Sequence, residues 1–261
     1  MEKKRDITIY YFSGTGNSLK LSLDISAQFL KSDIHKICET KRVERSDSEM
    51  IGFVFPVYMG GLPGIVYRFL QNFPFEKDVY YFSIGTYYAY KGCAMSIVKK
   101  IMSDKGITLS YSNCLPTVGN CLKEYEVTQK RRIPILERAE GKTFNIISDL
   151  KGKVKNKTPQ YCQLFDTLHK KLFKLFFDKA HEKFTLEERC IGCGVCQKVC
   201  PVNNIVFDNG KPEWKANCEV CHACVHWCPQ NAINIGKSKG RLQYQNPAIK
   251  NTMLFTQKEK P

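Results

Sequence analysis

The sequence predicts an α/β chain in two parts, a doubly wound parallel sheet followed by a small α+β domain organised by cysteines. Strand-like runs alternate with helical patterns through residues 1–150, and a glycine loop joins the first strand to the first helix. Eight of the thirteen cysteines fall within the 39 residues from Cys190 to Cys228. At 261 residues the chain exceeds a typical domain of roughly 150, and a composition 43% apolar and 25% charged excludes disorder, collagen and coiled coil.

The apolar run Ile7 to Phe12 predicts the first strand, Ser13-Gly14-Thr15-Gly16-Asn17-Ser18 the loop, and Leu19, Leu21, Leu23, Ile25 and Phe29 the buried face of a helix. Asp33 to Cys38 reads as a weaker strand. Met50 to Phe55 reads as a strand that leads through Pro56 to Pro63 into a helix marked by Ile65, Val66, Phe69 and Leu70. A third unit has strand Val79 to Ile84, loop Gly85 to Gly92 and helix Ala94 to Met102; Ile107 to Leu115 reads as a strand and Ile135 to Leu150 as a helix. Alternating strands and helices imply a parallel sheet covered on both faces.

Residues 151–183 read as a basic amphipathic connector. Leu164, Phe165, Leu168, Leu172, Phe173, Leu175 and Phe176 form an apolar stripe opposite Lys170, Lys171 and Lys174, expected to pack on one of the domains.

The cysteine block repeats one spacing, Cys190-x2-Cys193-x2-Cys196-x3-Cys200-Pro201 and Cys218-x2-Cys221-x2-Cys224-x3-Cys228-Pro229, offset by 28 residues. Three closely spaced thiolates wrap one face of a cuboidal cluster, and the fourth, ahead of proline, completes the other cluster. The expected ligand sets for two [4Fe-4S] clusters are Cys190, Cys193, Cys196 and Cys228, and Cys218, Cys221, Cys224 and Cys200. A tetrahedral zinc site would leave the third cysteine and the Cys-Pro step unused. The motif resembles that of bacterial two-cluster ferredoxins at every ligand position, and places the ferredoxin domain at 184–236 and a basic tail at 237–261. His222 and His226 are expected to flank or tune a cluster.

The glycine loop lacks both the third glycine of Gly-x-Gly-x-x-Gly and the Lys-Ser/Thr ending of a nucleotide P-loop. Ser13 to Ser18 resembles instead the phosphate loop of flavodoxins, (Thr/Ser)-x-Thr-Gly-Asn-(Thr/Ser). That resemblance implies a flavodoxin-like domain over 1–150 with flavin mononucleotide (FMN) as cofactor, its ring lying among later loops at the carboxyl edge of the sheet. The candidate ring contacts are Pro56, Val57, Tyr58, Gly60, Gly85, Thr86, Tyr87 and Tyr88, with Tyr90 nearby; tyrosines stack on flavin faces and glycines admit backbone amides. Pro116-Thr117-Val118-Gly119-Asn120 departs from the pattern by lacking an Asn-Tyr pairing near a third flavin loop.

The whole arrangement resembles the flavodoxin–ferredoxin fusion proteins of anaerobes labelled EFR-type ferredoxins, through Phe12 to Ser18, Pro56-Val57-Tyr58, Gly60-Gly61-Leu62-Pro63, both cysteine motifs, Pro212-Glu213-Trp214 and Tyr244-Gln245-Asn246-Pro247. It implies an electron-transfer protein passing electrons between flavin, clusters and a redox partner. Two alternatives stay open: a flavin-dependent reductase of a quinone or nitro compound fed by the clusters, and a redox module whose flavodoxin-like part is empty. No catalytic acid–base constellation stands out, and Cys38, Cys93, Cys114, Cys121 and Cys162 read as ordinary thiols.

The net charge of +15 divides into +5 over 1–150, +6 over 151–183, −1 over 184–236 and +5 over 237–261. Cluster and phosphate charges would bring the loaded protein to about +9. The basic excess points to an acidic redox partner or an anionic membrane surface. Nucleic acid is not expected, since no recognition motif accompanies the lysines. No signal-peptide core and no apolar run of eighteen residues occurs, so the expectation is a cytoplasmic protein whose thiols are reduced.

Overall fold

The structure, a computed structural model, describes residues 5–39, 46–161, 163–177 and 179–255. Five parallel strands, β1 (Arg5–Tyr11), β2 (Ser32–Lys36), β3 (Ser48–Pro56), β4 (Tyr80–Tyr87) and β5 (Leu109–Pro116), form one sheet in the order β2-β1-β3-β4-β5. This is the flavodoxin-like doubly wound order, whose switch point lies between β1 and β3. β1, β3 and β4 are buried almost without interruption because helices cover both faces. Side chains alternate between two cores. Tyr10, Phe12, Phe53, Phe55 and Tyr81 meet α2 (Gly64–Asn72) and α3 (Ala94–Ser103); Ile7, Ile9, Tyr11, Val54, Phe82 and Ile84 meet α1 (Asn17–Ser26) and α4 (Gln129–Lys151). The pairs Pro56↔Thr86 and Tyr87↔Pro116 bring the loops after β3, β4 and β5 to the same carboxyl edge.

The sheet strands agree with the sequence reading within a few residues. α4 starts at Gln129, well before the expected Ile135, and runs through Pro134. Gln129 to Arg132 are good helix formers, and they carry the helix past the one backbone donor that proline lacks.

The connector helix, α5 (Gln163–Phe177), corrects the expected stripe. Leu164, Leu168 and Leu175 are exposed, while Asp166 and His169 are buried. Asp166 accepts locally from Tyr161 and from Lys170 of the same helix, each at 2.8 Å, and the helix docks through His169, whose Nε2–H donates to the Tyr58 carbonyl at 2.9 Å. Of the apolar set only Phe165, Leu172 and Phe173 are half-buried; the Phe176 side chain and Cys162 lie outside the described residues.

The second module has two antiparallel ribbons, β6 (Phe184–Leu186) with β9 (Ile233–Ile235) and β7 (Ile205–Asp208) with β8 (Lys211–Trp214), and two short helices, α6 (Val195–Val199) and α7 (Ala223–His226). The segment after Gly236, expected as a basic tail, folds back so that Tyr244, Asn246, Ile249 and Leu254 are buried; residues 256–261 lie outside the described residues. Among the described residues no helix is long and apolar enough to cross a membrane.

Candidate functional site

The three closely spaced cysteines of each motif fall on a turn and the first residues of a short helix, which gathers their thiols on one side. Cys190, Cys193, Cys196 and Cys228 line one small cavity, closed by Phe207, Pro212 and Ile233. Cys196 lies within electrostatic reach of Cys228, Cys193 and Cys190, and Cys224 within reach of Cys221, Cys218 and Cys200. Each motif thus lends its fourth cysteine to the other. Among the described residues no group of three or more His, Cys, Asp or Glu is placed to hold a single metal ion.

The donor chemistry fits iron–sulfur clusters. Backbone N–H groups of Asn204, Val220 and Ala232 donate to the sulfurs of Cys200, Cys218 and Cys228 at 3.3, 3.4 and 3.3 Å, as stabilised thiolates require. Burial pushes the Cys196 thiol up to about 12 and Cys218 to about 11, and raises Cys200, Cys221 and Cys224 as well. Such thiols stay protonated until a metal takes them, because only the metal's positive charge offsets the desolvation of the thiolate.

At the switch point the glycine loop surrounds a pocket of about 50 Å³ lined by Ser13, Gly14, Thr15, Asn17 and Ser18, with Pro56, Thr86, Tyr87 and Thr117 opposite. That volume admits a group the size of a few waters, as a phosphate is. The first N–H groups of α1 point there with the positive end of the helix. Val57, Tyr88, Asn120 and Tyr125 line this pocket and also a second cavity of about 370 Å³, which Tyr58, Met59, Tyr90, Cys121, Val220 and His222 complete. The pair suits a phosphate-bearing ligand with an extended, largely apolar body.

Gly16, Gly60 and Gly85, expected at the flavin, line neither space. Gly16 (φ 97°) supplies the left-handed turn into α1, Gly60 lies against Tyr90 and Gly92, and a side chain at Gly85 would meet Val57 and Met95.

The sequence reading missed how far the second module builds this site. The loop Cys218 to His222 touches the flavodoxin-like loops at separate points. Glu219 accepts from the Ile65 N–H at 2.9 Å at the start of α2 and pairs with Arg68. His222 Nδ1–H and His226 Nε2–H both donate to the Asn120 carbonyl, at 3.1 and 2.8 Å. Trp227 Nε1–H donates to the Gly14 carbonyl at 2.9 Å, and a side chain at Gly14 would clash with the Cys221 carbonyl. Burial lowers His222 to about 4 and His226 to about 3. Asn17 Oδ1 accepts from Tyr244 OH at 2.6 Å and Asn246 Nδ2 at 3.0 Å, so the tail straps the loop from outside. Tyr125, also missed, stacks on Tyr88 with centroids 5.1 Å apart; an aromatic set among Lys123, Glu124 and Glu126 was the available signal.

The family described as 4Fe-4S binding domain matches residues 185–206. An uncharacterized ferredoxin of Methanocaldococcus jannaschii is 38% identical over 65 residues, 23% of this chain and 83% of that protein. The archaeal-type NADPH glutamate synthase of Dehalococcoides mccartyi is 35% identical over 66 residues, 24% of this chain, which spans only 13% of that protein's length. Among solved structures, two-electron reduced Megasphaera elsdenii flavodoxin aligns at 22% identity and a TM-score of 0.34, covering 41% of this chain and 84% of that one.

Proposed function

This chain belongs to the ferredoxin family through its cysteine-rich module, and from that premise we propose that it is an electron carrier with two [4Fe-4S] clusters and one FMN. The clusters take the two crossed sets of four cysteines, and FMN takes the switch-point pockets, with its phosphate on Ser13 to Ser18 and its ring among Val57, Tyr58, Tyr88 and Tyr125. Bound there, the flavin would accept two electrons and release them singly, and each cluster would pass one at a time.

One observation carries the reading: the cavity proposed for the ring is walled by Val220 and His222, the residues on either side of the cluster ligand Cys221. The protein's work is to hold the two redox sites at fixed contact and exclude water between them. The cluster of Cys200, Cys218, Cys221 and Cys224 is then proximal to the flavin. The other, whose Cys193 is exposed beside the 65% exposed Ile191, is the port for a partner. The arrangement resembles that of EFR-type fusion proteins. Excess positive charge outside the cluster core supports an acidic partner, and transfer rates should then fall as ionic strength rises from low to moderate.

The test is anaerobic purification with iron, sulfide and flavin quantified, followed by stepwise reduction. Flavin and clusters that share electrons support the reading; iron without flavin would leave the flavodoxin-like part an empty module, and flavin that never equilibrates with iron would sink the carrier. Cys193→Ser should remove about half the iron and leave the flavin. A reductase of a quinone or nitro compound is the second reading. It is favoured by a cavity of about 640 Å³ under α5, which shares Phe173 and Val220 with the ring cavity. Turnover of such an acceptor by the reduced protein would select it.

A further inference from the structure

The two cysteine motifs are copies offset by 28 residues, and their backbone donors repeat with them. In each, the N–H four residues after the last cysteine donates to that cysteine's sulfur, Asn204 to Cys200 and Ala232 to Cys228, both at 3.3 Å. Side chains do not follow that symmetry. The cavity of Cys190, Cys193, Cys196 and Cys228 is walled by Ile191, Phe207, Pro212 and Ile233, and its one polar side chain besides the thiols, Gln230, is exposed.

The other cysteine set has Trp214 beside it, a residue that lies between the two motifs and outside the repeat. It ends β8, where it pairs with Ile205 of β7, and the next residue, Lys215, donates its N–H to the Asn204 carbonyl at 2.9 Å. Asn204 thus ties the end of this ribbon to the sulfur of Cys200. Phe184 of β6 stacks on the indole with centroids 4.9 Å apart and planes 3° from parallel, which fixes the direction of the ring N–H.

That N–H is buried and makes no hydrogen bond of ordinary geometry. Buried indole nitrogens are normally satisfied, and an indole N–H is a donor only, so what it lacks is an acceptor. The group within hydrogen-bonding reach is the buried sulfur of Cys224. A neutral thiol accepts weakly, whereas a metal-bound thiolate carries negative charge and draws an N–H donor strongly.

We propose that Trp214 Nε1–H donates to the sulfur of Cys224 and sets the potential of the proximal cluster above that of the outer one. This rests on the assignment of two clusters to the crossed cysteine sets. A donor to a ligand sulfur stabilises the reduced cluster more than the oxidised one, because the added electron makes the sulfurs more negative, and the potential rises. An electron taken up at the exposed outer cluster then passes downhill to the proximal one, reducing it and reoxidising the first. The indole gives the chain a direction that the repeated backbone donors do not supply.

Trp214→Phe keeps an aromatic ring against Phe184 and removes the donor. It is made in the full chain, loaded with iron and sulfide, and compared with the wild type by EPR-monitored redox titration, the outer cluster being assigned by its loss in Cys193→Ser. In the wild type the proximal cluster should be reduced first. In Trp214→Phe iron content should be unchanged and the redox equilibrium of the proximal cluster should move about tenfold toward the oxidised form, about 59 mV for one electron, with the outer cluster unmoved. A proximal cluster that titrates as in the wild type, equal shifts of both clusters, or a wild-type proximal cluster below the outer one would each overturn the proposal. A second measurement needs no substitution. With tryptophan labelled by 15N in the indole, pulsed EPR of the wild-type protein with the proximal cluster reduced should show a coupled tryptophan nitrogen. Trp227, the other tryptophan, is engaged with the Gly14 carbonyl. If Trp214→Phe loses iron, the labelled wild type decides alone: the coupling supports the bond and its absence overturns it. Failure of the cluster assignment itself is seen separately, as a wild-type protein that takes up iron for one cluster or none.

Discussion

Trp227 and Gly14 are 213 residues apart in sequence, yet the indole N–H of the first donates to the carbonyl of the second at 2.9 Å. The contact joins the residue before Cys228 to the glycine loop, so the two modules share one buried seam. Trp227→Phe keeps the apolar bulk and leaves the Gly14 carbonyl unpaired. It should lower the stability of the loaded protein by about 1–3 kcal/mol in denaturant titration, with FMN released earlier than iron.

Gly14→Ala is expected to be worse tolerated than its size suggests. The new methyl would meet the Cys221 carbonyl, which is backbone and cannot swing away. A loss of about 1–3 kcal/mol or more is expected, with reduced iron retention. Gly141→Ala is the matched control: it lies exposed in α4 with open space around it, and it should stabilise by up to about 1 kcal/mol. Equal melting of the two variants would count against the seam.

Lys36, at the end of β2, is drawn down to about 8 by burial, against the pull of Cys221, Cys38 and Cys200, and it donates to the Leu254 carbonyl. A cation beside these thiolates favours the reduced, more negative cluster. Lys36→Met should therefore lower the potential of the cluster proposed on Cys200, Cys218, Cys221 and Cys224. At an effective dielectric near 20 the effect is about 1–2 kcal/mol, or roughly 50–100 mV for one electron. An EPR-monitored titration should find the other cluster unmoved.

Tyr244→Phe removes one of two donors to Asn17 Oδ1 while Asn246 keeps the other. The glycine loop loosens without losing its register, and FMN affinity should fall about three- to tenfold with iron content unchanged. An unchanged Kd would mean that the strap has no part in shaping the loop.

The strands, the helices flanking them and the repeated cysteine spacing were legible because each rests on local periodicity or on ligand spacing within a few residues. The α5 stripe was misread for the same reason. Its leucines satisfy helical spacing, but His169 finds a partner in the Tyr58 carbonyl of the sheet domain, and that contact turns the face of His169 inward. Gly16, Gly60 and Gly85 read as ligand contacts because glycine permits either close packing or close binding, and the atoms packed against them are set by the tertiary structure.

By itself the sequence determined the parallel α/β sheet, the glycine loop at the first switch point and the two sets of cysteines, all written in patterns short enough to read along the chain. Tertiary structure decided what those features share. It folded the segment after Gly236 back over Asn17, set Trp227 against Gly14 and placed Val220 and His222 into the cavity beside the sheet. Those contacts join residues 102 to 229 positions apart, and burial and hydrogen-bond satisfaction fix them through neighbours that no local pattern specifies.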